Sequence, residues 1–308
     1  MKYQAFGYTK NEIARQDIDR ETFERIKKAK ATCLFAMEIE EKFVLLFDNF
    51  AEFEVELLRL AEFSLLWQGQ ARDYADSMQQ RLLLDRRLVN LLSSCRLYLD
   101  QTDHGLSYLF GNPSTQLTSI REFKNYLYES HWGYRFMEAL RNHVQHSGLS
   151  TQGIIFNRFR SEGESPDYVE FTVYPQVSVN VLAEDSQLKK DIIRELREKD
   201  EQMDLRGPLR EYMSCFVELH DRLREVIGQE VEGARSAYEA DTKQYSTLDG
   251  RDVRYPSLQE LSGVGNVTDE IPLATNILDY LDKLRKRNSV NKNIHHSAAS
   301  NTDQKRKY

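Results

Sequence analysis

Residues 23–60, FERIKKAKATCLFAMEIEEKFVLLFDNFAEFEVELLRL, decide the fold class of this chain. Their apolar residues recur at steps of three and four, the spacing that places side chains on one face of an α-helix. The pattern extends from about Asp19 to Trp67 and predicts one very long helix or two helices in tandem. The apolar positions are Phe23, Ile26, Leu34, Met37, Phe43, Leu46, Phe50, Phe53, Leu57 and Leu60.

Three further helices are predicted downstream of this stretch. The second is long, begins after the QGQ at 68–70 and continues to about Thr102. A turn at 110–115, FGNPST, separates it from a shorter helix through Tyr128, for which Ser114 or Thr115 is the expected cap. The fourth runs from about Trp132 to Ser147 and stops at Gly148, where we expect the left-handed conformation that glycine tolerates. The pattern predicts a four-helix bundle over residues 1–150.

The rest of the chain changes character. Residues 153–159 and 168–181 are rich in β-branched and aromatic residues, which predicts a β-hairpin over 151–184. Helical periodicity returns at about 186–201, 208–245 and 271–287, so we expect a C-terminal helical region over 185–287. His220 falls on an apolar helical face and is interpreted as a packed core histidine. Residues 288–308 are polar and aperiodic, which predicts a disordered tail.

Composition limits the class of protein. The chain has 308 residues, 40% of them hydrophobic, enough for a sizeable core. No apolar run approaches the roughly 20 residues of a membrane span, and the N-terminal residues lack a signal-peptide pattern, so we expect a cytoplasmic protein without a membrane partner. Three cysteines, Cys33, Cys95 and Cys215, are odd in number and far apart, which favours reduced core thiols over disulfides.

Charge is unevenly distributed. The formal net charge is −7, which argues against a basic coat for nucleic acid, yet residues 120–160 carry a local balance of +3. Within this basic segment, residues 140–148 read LRNHVQHSG. On a helical wheel Asn142 and His146 share one face opposite the core positions, and Arg141 can extend toward them. His143 lies on the flank of the apolar stripe, so we expect the polar groups to converge outside the bundle.

This stretch resembles the HEPN superfamily, helical-bundle domains named for nucleotide-binding proteins of higher eukaryotes and prokaryotes. Its ribonuclease members carry an Arg, often followed by Asn, Asp or His, and a His four to six residues after the Arg. The sequence Arg141-Asn142-His143-Val144-Gln145-His146 is similar to that pattern, with Asn in the second place. The wider phrase YRFMEALRNHVQHSG resembles the motif-bearing helix of bacterial HEPN-like proteins. The resemblance covers residues 19 to 150 and extends to neither the hairpin nor the C-terminal helices.

The resemblance implies a fold, a reaction and a set of site residues. The fold is mostly α, with a HEPN-like four-helix bundle followed by a β-hairpin and additional C-terminal helices. The reaction is metal-independent cleavage of RNA by 2′-hydroxyl attack, without a cofactor, in a homodimer that joins two copies of the motif helix. Many members act in defence or stress responses. Catalytic roles are expected for Arg141, Asn142 and His146, and RNA contacts for Arg135, His143, Arg158 and Arg160.

The residue types suit this chemistry independently of the family. Histidine, with an ordinary pKa of about 6.5, transfers protons near neutrality, and arginine can contact two phosphate oxygens at once. Two other interpretations stay open. The polar residues could be a solvated or capping face of a non-catalytic, dimeric interaction protein that retains the bundle. Alternatively, His143 and His146 could bind zinc with His131 or Glu138, although this set lies on diverging sides of the helix.

Overall fold

The computed structural model describes residues 1–10, 12–67, 73–149, 151–161, 168–186, 188–297 and 299, without the side chains of residues 160, 161 and 168. Helices dominate, accompanied by small antiparallel sheets. The helices are α1 Arg20–Leu66, α2 Tyr74–Phe110, α3 Thr115–Ser130, α4 Trp132–His146, α5 Val179–Ala183, α6 Lys190–Leu196, α7 Arg206–Gln244 and α8 Asn276–Arg287, with a 3₁₀ turn at Ile294–His296. The strands are β1 Lys2–Tyr8, β2 Ile13–Ile18, β3 Gly153–Ser161, β4 Tyr168–Ser178, β5 Gln202–Asp204, β6 Thr247–Leu248, β7 Arg251–Asp252, β8 Arg254–Leu261 and β9 Val267–Pro272.

The chain divides into two compact units, each built from three segments. Unit 1 comprises Met1–Val44, Gln101–Ser119 and Arg222–Ser289, and unit 2 comprises Leu45–Asp100, Ile120–Asp221 and Val290–Tyr308. This division differs from the consecutive blocks 1–150, 151–184, 185–287 and 288–308 drawn from the sequence. The reason is that the long helices α1, α2 and α7 each supply residues to both units.

Unit 1 contains a sheet that the sequence pattern did not predict. Its strand order is β2-β1-β8-β9, with antiparallel pairing throughout, so the first strands of the chain pair with strands near its end. One face of the sheet packs on helical residues. The buried cluster on that face includes Tyr3, Ala5, Ala14, Phe23, Ile26, Tyr238, Leu258, Ile271 and Leu278.

Unit 2 contains the helix that bears the motif. The predicted hairpin is present as β3 and β4, and β5 adds a third strand beside β4. The first half of α7 is part of the helical core rather than an appendage to it. Tyr212 and Phe216 of α7 pack against each other at a ring-centroid distance of 4.9 Å, and both contact Tyr134 of α4.

Side-chain caps explain where three helices begin. The Asp19 carboxylate accepts a hydrogen bond from the Thr22 N–H at 2.7 Å, and Asp73 caps α2 in the same way. Ser114 accepts from the Leu117 N–H at 3.2 Å, so it is the cap of α3. From Asp19 the chain forms one continuous 47-residue helix rather than two in tandem.

Three expectations for the second half of the chain differ from the structure. The helix predicted at 186–201 is reduced to the seven residues of α6, and α8 begins at Asn276 because Ile271 belongs to β9. Residues 288–297, expected to begin a disordered tail, are mostly exposed but make specific contacts with the helices: Asn288 is buried, and the His295 imidazole contacts the Ser214 hydroxyl at 2.8 Å. The predicted tail residues 301–308 lie outside the described residues.

Among the described residues, no helix combines the length and apolar character that crossing a bilayer requires. Cys33, Cys95 and Cys215 are free and buried. Burial raises the pKa of the Cys33 thiol to about 11 and that of the other two thiols as well, so all three remain protonated at neutral pH.

Candidate functional site

Helix α4 carries the motif and is fixed at its N-terminus by a carboxylate from α7. His131, the residue before the helix, provides no side-chain cap. Instead, Glu211 accepts a hydrogen bond from the Gly133 N–H at 2.8 Å and contacts His131 Nδ1 at 3.2 Å. A negative charge at this end of a helix is favourable because the unsatisfied N–H groups carry partial positive charge. Phe136, Met137 and Leu140 are fully buried, so the apolar face of α4 is where the helical wheel predicted it.

Arg135 is held by structural contacts in the first turn of α4. Two of its guanidinium nitrogens contact the Glu195 carboxylate at 3.1 to 3.3 Å, and Nη1 donates to the carbonyls of Tyr128 and Glu129 at 2.9 and 2.7 Å. These carbonyls belong to the last residues of α3, where a cation is favourable. All three guanidinium nitrogens of Arg135 therefore form hydrogen bonds within the fold. The RNA contact expected of Arg135 stays a prediction.

Arg141 has a different environment. Its Nη2 donates to Asn142 Oδ1 at 2.7 Å and its Nη1 to Gln145 Oε1 at 3.0 Å, so both acceptors are neutral amides. A carboxylate of Glu138 lies 3.7 Å from Arg141 Nε, beyond hydrogen-bond distance. That carboxylate also accepts from the Tyr212 hydroxyl. Burial first, and the Glu138 charge second, raise the pKa of Tyr212 well above its ordinary value, so the hydroxyl keeps the proton that it donates.

His143 is buried and paired. Its Nδ1 lies 2.5 Å from Asp185 Oδ2, and the side chains of both residues are about 5% exposed. Asp185 follows α5, on the segment between β4 and α6 that covers this flank of α4. His143, expected on the flank of the apolar stripe, is therefore enclosed there, and the RNA contact expected of it stays a prediction that would require Asp185 to be displaced.

His146, in contrast, is exposed at the last residue of α4. The helix ends there with the N–H groups of Ser147 and Gly148 bonded to the His143 carbonyl. Gly148 does not have the positive φ that was expected for it. The His143 carbonyl therefore accepts both hydrogen bonds that end the helix, and the His146 side chain remains exposed.

Two further arginines expected to contact RNA, Arg158 and Arg160, belong to strand β3, which follows α4 in the sequence. Arg158 is exposed and lies 5.9 Å from the centre of the Phe171 ring on the neighbouring strand. The side chain of Arg160 lies outside the described residues. Neither is linked by a described hydrogen bond to the motif residues of α4.

The helical wheel predicted that the whole polar face of α4 is exposed, and this prediction is only partly correct. The side chains of Arg135, Glu138 and Arg141 are 13–18% exposed because α6 and α7 pack along that side. The structure therefore brings the side chains of Arg141, Asn142 and Gln145 together and leaves His146 exposed at the end of the helix. Gln145 was missed, although its four-residue spacing from Arg141 is the helical contact distance. No sequence pattern could indicate Asp185 as the partner of His143, since the two residues are 42 positions apart.

The proposed zinc set is not assembled. His131 contacts Glu211, His143 contacts Asp185, and Glu138 accepts from Tyr212. Within the described ranges, no group of three or more His, Cys, Asp or Glu residues is arranged to hold a metal ion. His220 is buried with Nδ1 at 2.9 Å from the Tyr98 hydroxyl, which confirms the interpretation of a packed core histidine.

Comparisons of the chain with protein-family models, with curated proteins and with solved structures found no match.

Proposed function

We propose that this protein is a metal-independent, HEPN-like ribonuclease that cleaves RNA by attack of its own 2′-hydroxyl, and that the helices of unit 2 form a HEPN-like bundle. The observation that carries the proposal is the setting of Arg141. Its guanidinium is held by two neutral amide oxygens, and the exposed His146 lies one residue beyond Gln145, which supplies one of them.

Both described hydrogen bonds of the Arg141 guanidinium go to neutral amides, and the one carboxylate near it, that of Glu138, lies 3.7 Å from Nε and balances its charge only in part. A phosphate oxygen carries a negative charge that an amide oxygen lacks, so it attracts a guanidinium more strongly. Exchange of Asn142 Oδ1 and Gln145 Oε1 for two phosphate oxygens is therefore favourable for Arg141. The same charge would stabilise the additional negative charge of the phosphorane-like transition state. Asn142, which holds the guanidinium at 2.7 Å, acts in this account as a positioning residue.

His146 supplies the proton transfer. RNA carries its own nucleophile, so cleavage needs a group that removes the 2′-hydroxyl proton or protonates the leaving 5′-oxygen. An exposed histidine can do either near neutral pH. One motif provides few groups for both steps, so we propose a homodimer in which two copies of α4 contribute to one site. His143 has no direct role in this account because Asp185 and burial hold it inside unit 2.

Variants of polar residues outside the apolar face of α4 test the proposal without opening the core. Arg141→Ala and His146→Ala should each reduce cleavage of a labelled RNA at least 100-fold, whereas the matched exposed controls Arg86→Ala and His104→Ala should cleave like the wild type. Activity should persist in EDTA. Equal activity of His146→Ala and the wild type would remove this motif from the mechanism.

A second candidate is a non-catalytic interaction protein that dimerises through α1. A specific observation favours it: Val55, Leu58, Leu65 and Leu66 are 40–62% exposed. At 100° per residue they lie within an arc of about 100° on one side of α1. Exposed apolar surface of this kind marks a protein interface. A protein that dimerises but cleaves no RNA would support this candidate over the ribonuclease.

A further inference from the structure

The sheet of unit 1 has a second face, opposite the one that packs on the buried cluster. Side chains alternate along a strand, so Tyr3 and Ala5 enter the core while Gln4 and Phe6 lie on the opposite face. This outer face contains a groove of about 330 Å³, within the size range of small-molecule sites. Its lining includes Phe6, Tyr8, Tyr255, Ser257, Gln259 and Glu270.

The floor of the groove is polar and incompletely bonded. Ser257 is 3% exposed, and its hydroxyl has no hydrogen-bond partner within the described residues. Gln259 is 7% exposed and uses its Oε1 to accept from Gln4 Nε2 at 2.9 Å, while its Nε2 makes no described hydrogen bond. Buried polar groups are almost always bonded, since an unsatisfied one costs stability. The Ser257 hydroxyl oxygen is enclosed beneath the groove, whereas a ligand in the groove would supply the partner that the Gln259 amide lacks.

The walls of the groove are aromatic. Tyr8 is 48% exposed and meets the Phe6 ring edge-on, with 5.1 Å between ring centroids. Tyr255 is 82% exposed and has a φ of 53°, a conformation that is unfavourable for a bulky residue. It lies within a break in register between β1 and β8. Large exposed rings on one face favour a ligand with a flat, apolar face.

Charged groups add the remaining specificity. Glu270 lies opposite Gln259 in the strand register and lines the groove. Arg15 lies 5.8 Å from the Phe6 ring centre, and Arg254 is the register partner of Tyr8. Neither arginine forms an ion pair with any described residue. The groove thus combines aromatic surfaces, one carboxylate acceptor and one side-chain amide, and two arginines are the strand partners of its residues Phe6 and Tyr8.

We propose that this groove binds an unpaired guanine base of RNA, an inference that rests on the proposed ribonuclease function. Guanine presents two parallel donors, N1–H and N2–H, to a single carboxylate such as Glu270, and its O6 can accept from Gln259 Nε2. Adenine lacks the N1–H donor, and the uracil N3–H is flanked by two carbonyl oxygens that repel a carboxylate. Tyr8 and Tyr255 stack on the base, and Arg15 and Arg254 contact the adjoining phosphates.

Binding can be measured without cleavage. The probes are short, labelled single strands of thymidine with one central guanine, one central adenine or neither, all lacking the 2′-hydroxyl nucleophile. Fluorescence anisotropy with the full chain should show about tenfold tighter binding of the guanine strand. Tyr255→Ala should weaken that binding about tenfold or more, and the equally exposed control Tyr108→Ala should not. Glu270→Gln should abolish the preference for guanine over adenine.

Equal affinity for the three strands, or unchanged binding by Tyr255→Ala, would overturn the guanine site. Saturable binding of a proline-rich peptide with no binding of any strand would assign the groove to peptides instead. The two proposals can fail independently. Guanine binding without cleavage of any RNA would support the guanine site and contradict the ribonuclease proposal.

Discussion

His143 and His146 are three residues apart on α4 and have opposite environments. His143 is enclosed and bonded to Asp185, whereas His146 is exposed. We expect His143→Ala to lower the free energy of unfolding by about 2–3 kcal/mol, because the buried Asp185 carboxylate loses the imidazole that it contacts. His146→Ala should change it by no more than about 0.5 kcal/mol. Urea denaturation of both variants measures the difference, and equal stability would contradict the buried pair.

The sequence could predict part of this site at the level of single residues. The helical wheel correctly placed Leu140 in the core and His146 outside it, because both positions depend only on helical geometry. The partners of His143 and Arg135 could not be predicted, since Asp185 and Glu195 come from segments that are distant in the sequence. A helical wheel shows which side is apolar but not which polar residues another element will cover.

At the scale of elements, the segment 290–297 should respond to pH. Burial first, and the neighbouring His296 second, lower the pKa of His295, while Glu211 and Glu218 act in the opposite direction. A folded pKa below the unfolded value near 6.5 means that the docked segment favours neutral His295. Its docking is therefore complete above about pH 6.5 and weakens as the pH falls through the folded pKa.

Hydrogen exchange of residues 290–297 measures this dependence. Protection should decrease between pH 7 and pH 5 in the wild type. His295→Gln should be less protected at pH 7 and show a smaller change between these values, because its side chain does not titrate. Protection that is independent of pH in the wild type would contradict the contact between His295 and Ser214.

Other elements show why local patterns predict helices better than this sheet. The helices α1 to α4 and α7 repeat their apolar positions over many turns, so their signal is contained in each segment. Strand β1 has only seven residues and pairs with β8, more than 240 residues later. Its buried residues Tyr3 and Ala5 acquire a core only through that pairing, which no local window of sequence can show.

For the whole molecule we expect a homodimer that buries the apolar stripe of α1 formed by Val55, Leu58, Leu65 and Leu66. Light scattering at micromolar concentration should give about twice the chain mass of 36.1 kDa. Leu58→Glu should yield a monomer, since it places a charge in the centre of the stripe. Leu45→Glu, a similarly exposed position outside the arc, is the matched control. A wild-type monomer would contradict both the dimer and a site shared between two copies.

The central claim concerns the chemistry of α4, and the chemical end of the RNA product tests it most directly. Purified protein in EDTA should leave a 2′,3′-cyclic phosphate on the upstream fragment, because the 2′-hydroxyl is the nucleophile. His146→Ala should yield none, and an RNA with 2′-deoxy at the cleavage position should remain intact. Cleavage that leaves a 3′-hydroxyl, requires a metal ion or proceeds equally in His146→Ala would contradict the account.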